Sequence, residues 1–207
     1  FGMNHIISPV AVDLIVKQIQ KVMGDRGWPP VLPPLDSGTL PPNVYQVEQT
    51  HRIKQMQTIV RDASTSHDDF VFYNDRLNSV LIETALTLLP YNKCIIKTPT
   101  GCDYEGESFI KKLCGVSIMR SGSTMEEPLR RICKGVRMGK ILIQQDESRA
   151  PFLLYVKLPP CIEGRHVLLL DPMLVSGATA TMAVHVLLDH GVQPKDISLI
   201  TTVASVQ

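Results

Sequence analysis

Aromatic residues make up only 5% of this chain, with a single tryptophan, and no cluster of them lies beside a basic run. A protein that binds single strands by stacking bases needs such a cluster, so a nucleic-acid partner is not expected. Charge of one sign is lacking too. The formal net charge is +1, which predicts no nucleic acid by bulk charge. No apolar stretch approaches the ~18 to 20 residues that a membrane helix needs, and the first ten residues lack the basic start and cleavage site of a secretory signal. No membrane association is expected. The five cysteines, Cys94, Cys102, Cys114, Cys133 and Cys161, are odd in number and nowhere spaced as CxxC. That argues for reduced thiols in the cytoplasm or nucleus and against a zinc site. The six histidines are scattered and form no ligand set.

What is present is a 44% hydrophobic chain of 207 residues, long enough for one α/β domain and a short appendage. The stretch Val167 to Thr181 organises it. Val167 to Leu170 is apolar without alternation, the pattern of a strand covered on both faces. It stops at Asp171, and Ser176-Gly177-Ala178-Thr179 then leads into a helix from Ala180 to Leu188. Unpaired N–H groups and the helix dipole at such a junction suit a phosphate, and Ser176 and Thr179 can add hydroxyl donors. Asp171, at the carboxyl end of the strand, suits ribose hydroxyls or a hydrated Mg²⁺. A buried strand before a capped helix would look much the same.

Pro9 to Met23 has apolar residues at Val12, Ile15, Val16 and Ile19, the stripe of an amphipathic helix, and residues 27–43 carry six prolines of an extended linker. The expected organisation is therefore a helical segment 1–26, a linker 27–43 and a domain 44–207. Within the domain, a short strand is expected over Val44–Val47, and helices are predicted over Gln49–Val60 and Phe70–Leu89. Ser64 to His67 precede Asp68-Asp69, an acidic pair that reads as a helix cap or solvated face rather than a metal site. Cys94–Lys97 and the polar turn after it suggest a hairpin or flap. Cys114–Met119, Lys140–Gln144, Phe152–Lys157 and Ile197–Val203 are further predicted strands. The second of these motifs repeats the first: Cys114–Met119 runs into Arg120-Ser121-Gly122 and then a helix Met125–Cys133. Arg120 beside a glycine is placed for a second phosphate.

The Asp171 loop resembles the phosphoribosyl pyrophosphate (PRPP) loop of type I phosphoribosyltransferases, and Asp171-Pro172-Met173-Leu174 is most similar to the uracil branch. Thr58 to Asp62, Phe72 to Leu77, Cys114 to Arg120 and Gly139 to Gln144 resemble that branch in the same order. The resemblance implies a doubly wound, mainly parallel five-stranded sheet with helices on both faces. It implies that uracil displaces pyrophosphate from PRPP to form UMP, with Mg²⁺ accompanying PRPP. Asp171, Ser176, Gly177, Ala178, Thr179 and Ala180 would hold ribose and its 5′-phosphate, with Asp171 the residue closest to the chemistry. Arg120, Ser121 and Gly122 would hold pyrophosphate. The run from Ala11 to Gln20 is similar to the last helix of uridine-cytidine kinases, which implies a fused kinase upstream; the chain itself has no GxxxxGK[ST], since Gly135 to Ile141 has the wrong spacing.

Three departures from the family pattern bear on activity. Gln145 stands where active members carry Arg, and a neutral amide holds phosphate less strongly than a guanidinium. Ser121, Ser123 and Pro128 replace an Ala, a Glu and a Gly of the pyrophosphate loop. The sequence given ends at Gln207, before the family's uracil-reading segment. Two functions follow: a uracil phosphoribosyltransferase of pyrimidine salvage, or a non-catalytic domain of the same fold attached to a uridine kinase. Of the basic residues Arg130, Arg131, Lys134, Arg137 and Lys140, the first three lie on the predicted helix and read as a solvated face, and the resemblance adds a homo-oligomer interface or a regulatory nucleotide as uses for the set.

Overall fold

The computed structural model describes residues 4–8, 43–146 and 150–204. Four parallel strands form its centre: β5 (Leu113–Met119), β6 (Arg137–Gln145), β8 (His166–Leu170) and β10 (Ile197–Ala204), lying side by side as β6-β5-β8-β10. The chain leaves β5 for β6 in one direction and β8 for β10 in the other. The strand order therefore reverses between β5 and β8, and the carboxyl ends of these two strands are the place where such sheets take ligands.

The edges run antiparallel. β7 (Pro151–Lys157) closes the β6 side. On the other side β1 (Asn4–Ser8) pairs with β10 and β2 (Tyr45–Gln46) with β1; the two-residue β9 (Met173–Leu174) is not an edge and pairs in parallel with the end of β10. The sheet thus has eight strands where the sequence predicted five. β2 falls inside the short strand expected over Val44–Val47, whereas β9 is too short to carry a hydrophobic period. β1 precedes the predicted helix Pro9–Met23, and its pairing along β10 satisfies a sheet edge that would otherwise stay open. The predicted helix Pro9–Met23 and residues 27–42 of the linker lie outside the described residues. Cys94–Lys97 is not in the main sheet at all: β3 (Tyr91–Lys97) and β4 (Asp103–Phe109) form a separate hairpin, turning at Gly101 with φ +84°.

Both faces of the sheet are covered, as predicted. β8 shows why its sequence had no alternation: Val167 and Leu169 pack on one face and Leu168 and Leu170 on the other, all four fully buried. Each contributes roughly 1.5–3 kcal/mol by leaving water. One face receives α4 (Ala178–Asp189) through Ala180, Ala183, Val184 and Leu187. The other receives α1 (His51–Arg61), α2 (His67–Thr87) and α3 (Glu126–Ile132), with Met56, Leu81, Ile82 and Leu129 at the contact. Thr50 caps α1 by accepting from Ile53 N at 3.3 Å. Ser66 caps α2, accepting from Asp69 N at 3.1 Å and donating to the Asp69 carboxylate at 2.8 Å, so Asp68 and Asp69 complement the helix N-terminus.

Candidate active site

Asp171 follows β8 directly, and its backbone N–H donates to Ile200 O at 3.1 Å, which pins the strand end to β10. The side chain is 6% exposed. Burial pushes its carboxyl up to about 6, against hydrogen bonds from Met173 N–H and the Ser121 hydroxyl that favour the charged form. The carboxylate is thus withdrawn from water yet held by donors from two loops.

The second of those loops follows β5. The Met119–Arg120 peptide is cis, Ser123 N donates to Arg120 O at 3.1 Å, and Ser121–Met125 form a 3-10 turn leading straight into α3. Gly122 is buried, and a Cβ there would stand 2.3 Å from Leu170 O. Only glycine lets the turn lie this close to the end of β8. Glu126 anchors the turn from behind: one of its oxygens accepts from Ser117 Oγ at 2.7 Å and faces Lys140 Nζ at 3.2 Å, tying α3 to β5 and β6. Arg120 remains exposed at the rim.

The loop after Asp171 enters α4 through Gly177, the buried N-cap residue, at φ +77°. The left-handed position thus falls on Gly177, and Ala178 needs no unusual backbone. Thr181 N donates to Gly177 O at 2.8 Å, the first bond of the helix. The N–H groups of Ala178, Thr179 and Ala180 precede it and have no intrahelical acceptor; Ser176 Oγ takes that of Ala178 at 3.4 Å. Ser176 is exposed, Thr179 half-buried and Ala180 fully buried against the sheet, so Ala180 can offer a ligand only its backbone. Gln145 is exposed at the end of β6, opposite Pro151 of β7.

The two predicted loops are therefore neighbours, joined by the Ser121–Asp171 hydrogen bond and by the Gly122–Leu170 approach. Gln145 shares their edge of the sheet but makes no hydrogen bond to either loop among the described residues. Sequence gave no signal for Ser121 as the partner of Asp171, because the two meet only when β5 and β8 pair. Nor did it single out Glu126, whose partners lie on two different strands.

A family model for uracil phosphoribosyltransferase matches residues 47–207. The chain belongs to the uracil phosphoribosyltransferase family. A uracil phosphoribosyltransferase of Dictyostelium discoideum is 51% identical over 166 residues, which cover 80% of this chain and 77% of that relative. Uridine-cytidine kinase A of the same organism is 43% identical over 96% of this chain, but the chain spans only 40% of that relative's length. A solved structure from Aquifex aeolicus superposes with a TM-score of 0.61 at 25% identity, covering 70% of this chain and 71% of that one. This uracil phosphoribosyltransferase domain carries its two loops at the crevice between β5 and β8. No helix among its described residues is long and apolar enough to cross a membrane.

Proposed function

We propose that the chain is the PRPP-binding, uracil phosphoribosyltransferase-like domain of a uridine kinase-like protein of pyrimidine salvage, joining uracil to the ribose of PRPP to give UMP and pyrophosphate. The observation that carries this reading is the meeting of the Asp171 and Arg120 loops at the switch point of a parallel sheet. The N–H groups of Thr179 and Ala180, with the hydroxyls of Ser176 and Thr179, hold the 5′-phosphate at the positive end of α4. Asp171 accepts from ribose hydroxyls, and its charge steadies the cationic character that develops on the ribose as pyrophosphate leaves. Arg120 and the backbone at Ser121 and Gly122 receive the departing pyrophosphate. Electrostatics and positioning supply the rate, since no residue of the chain needs to form a bond to the substrate.

Among the described residues no three His, Cys, Asp or Glu side chains come together as a metal cage. That fits Mg²⁺ arriving on PRPP, since this ion is commonly bound through substrate phosphates and one or two carboxylates. When bound it would neutralise the pyrophosphate charge, and Asp171 would be the carboxylate that meets it. The five cysteines are free thiols, in keeping with a cytoplasmic setting.

A second reading has one observation in its favour. Gln145 places a neutral amide where the family's active members carry a guanidinium, so the domain would hold a nucleotide as a regulatory ligand, or build a homo-oligomer, without turnover. Calorimetric titration with PRPP and Mg²⁺, beside an assay of UMP formation from uracil by the full-length protein, separates the two. Binding with turnover supports the enzyme; binding of UMP without turnover supports the regulatory domain. Absence of PRPP binding would sink both the phosphate and the pyrophosphate assignments.

A further inference from the structure

Asn78 is a polar residue in an apolar place. It is fully buried on α2, and Leu77, Leu81 and Ile82 around it belong to the hydrophobic layer that also holds Leu168, Leu170 and Ile200 of the sheet. Its Oδ1 accepts from Thr202 Oγ1 of β10 at 2.7 Å, while its Nδ2 donor has no partner. A buried donor left unpaired is costly, and a leucine of similar size would avoid that cost. Packing therefore does not account for the asparagine; the bond to Thr202 does.

That bond falls at a particular place. Thr202 stands between the two residues of β10 that fasten the Asp171 loop: Asp171 N donates to Ile200 O at 3.1 Å, and Val203 N donates to Pro172 O at 2.9 Å. Val203 also pairs with Met173 of β9, and the Met173 N–H donates to the Asp171 carboxylate. A path of hydrogen bonds and short chain segments thus runs from Asn78 to that carboxylate. The same helix braces the other loop. Asp75, one turn before Asn78, pairs with Arg131 of α3, and Met125, the last residue of the turn after Arg120, is fully buried in the layer that holds Leu77 and Leu81.

We infer that Asn78 is a positioning residue of the crevice: by holding Thr202 it fixes the end of β10, and with it the Asp171 loop, at a set distance from the Arg120 turn. This role rests on the PRPP reading, in which one ligand must reach both loops with its phosphates. Such a ligand is sensitive to their spacing, since a misplacement of about 1 Å can cost about a hundredfold in rate.

The test compares Asn78→Leu, Thr202→Val, the double variant and Thr202→Ser in the full-length protein. Each of the first two should lower the urea midpoint. The double variant should return close to the parent, because no polar group of the pair is left unmatched. Calorimetry with PRPP and Mg²⁺ should nevertheless show affinity about tenfold weaker in the double variant, while Thr202→Ser, which keeps the hydroxyl, binds like the parent. Amide hydrogen exchange at Asp171 and Val203 should speed up about tenfold in the double variant, with Leu168 of β8 keeping the parent's rate. Parent affinity in the double variant overturns the role, whatever its urea midpoint. If the parent itself binds no PRPP, the reading of the crevice fails separately; exchange at Asp171 and Val203 then decides whether Asn78 holds the loop, and unchanged rates overturn it.

Discussion

The Ser121 hydroxyl donates to the Asp171 carboxylate, joining the loop after β5 to the end of β8. Asp171 is raised by burial to about 6, so the native state holds its proton more tightly than the unfolded chain does. Its contribution therefore favours the fold fully below the ordinary carboxylate value near 4 and is lost as pH rises through about 6. Asp171→Asn should thus gain stability over the parent between pH 4.5 and pH 8, by about 2 kcal/mol. Urea unfolding at the two pH values measures the gap; an equal gap at both would show that Asp171 does not titrate this way. Ser121→Ala should raise the Asp171 carboxyl further, shifting any pH profile of PRPP binding upward.

Gly122 has no room for a side chain beside Leu170 O. Gly122→Ala should destabilise by roughly 1–3 kcal/mol, because the added methyl meets backbone that cannot rotate away. PRPP affinity should fall with it as the turn is pushed off the crevice. A variant with the parent's urea midpoint would contradict the packing described.

Gln145→Arg restores a guanidinium at the end of β6. If Gln145 faces the pyrophosphate, the change should tighten PRPP by about tenfold, the worth of a charge-assisted hydrogen bond. Asp171→Asn should weaken PRPP far more than Cys161→Ser does, since Cys161 is an exposed residue in a turn before β8. Equal affinities for these last two variants would remove Asp171 from the site.

On the α2 face, Thr202 Oγ1 donates to Asn78 Oδ1 at 2.7 Å, and both side chains are buried. The Asn78 amide nitrogen has no partner in the described structure. Thr202→Val should cost about 1–3 kcal/mol by leaving the Asn78 oxygen unpaired as well. Thermal unfolding of that variant beside Thr202→Ser, which keeps the hydroxyl, separates the lost bond from the lost methyl group.

The chain's local chemistry determined a good deal by itself. The unbroken apolar run at Val167–Leu170 marked a strand covered on both faces, and Gly177 and Gly191 marked the start and stop of α4, because left-handed backbone is cheap only for glycine. Asp171 and Arg120 at strand ends named the two loops. The short strands β1 and β9 stayed hidden, since pairing rather than side-chain period creates them. Tertiary structure alone decided that β5 and β8 are neighbours, and so that Ser121 reaches Asp171 and Gly122 touches Leu170. It alone also paired Arg131 with Asp75 and Lys140 with Glu126 out of one basic run. Such contacts join residues distant in sequence, and no local preference encodes a partner that only the folded sheet supplies.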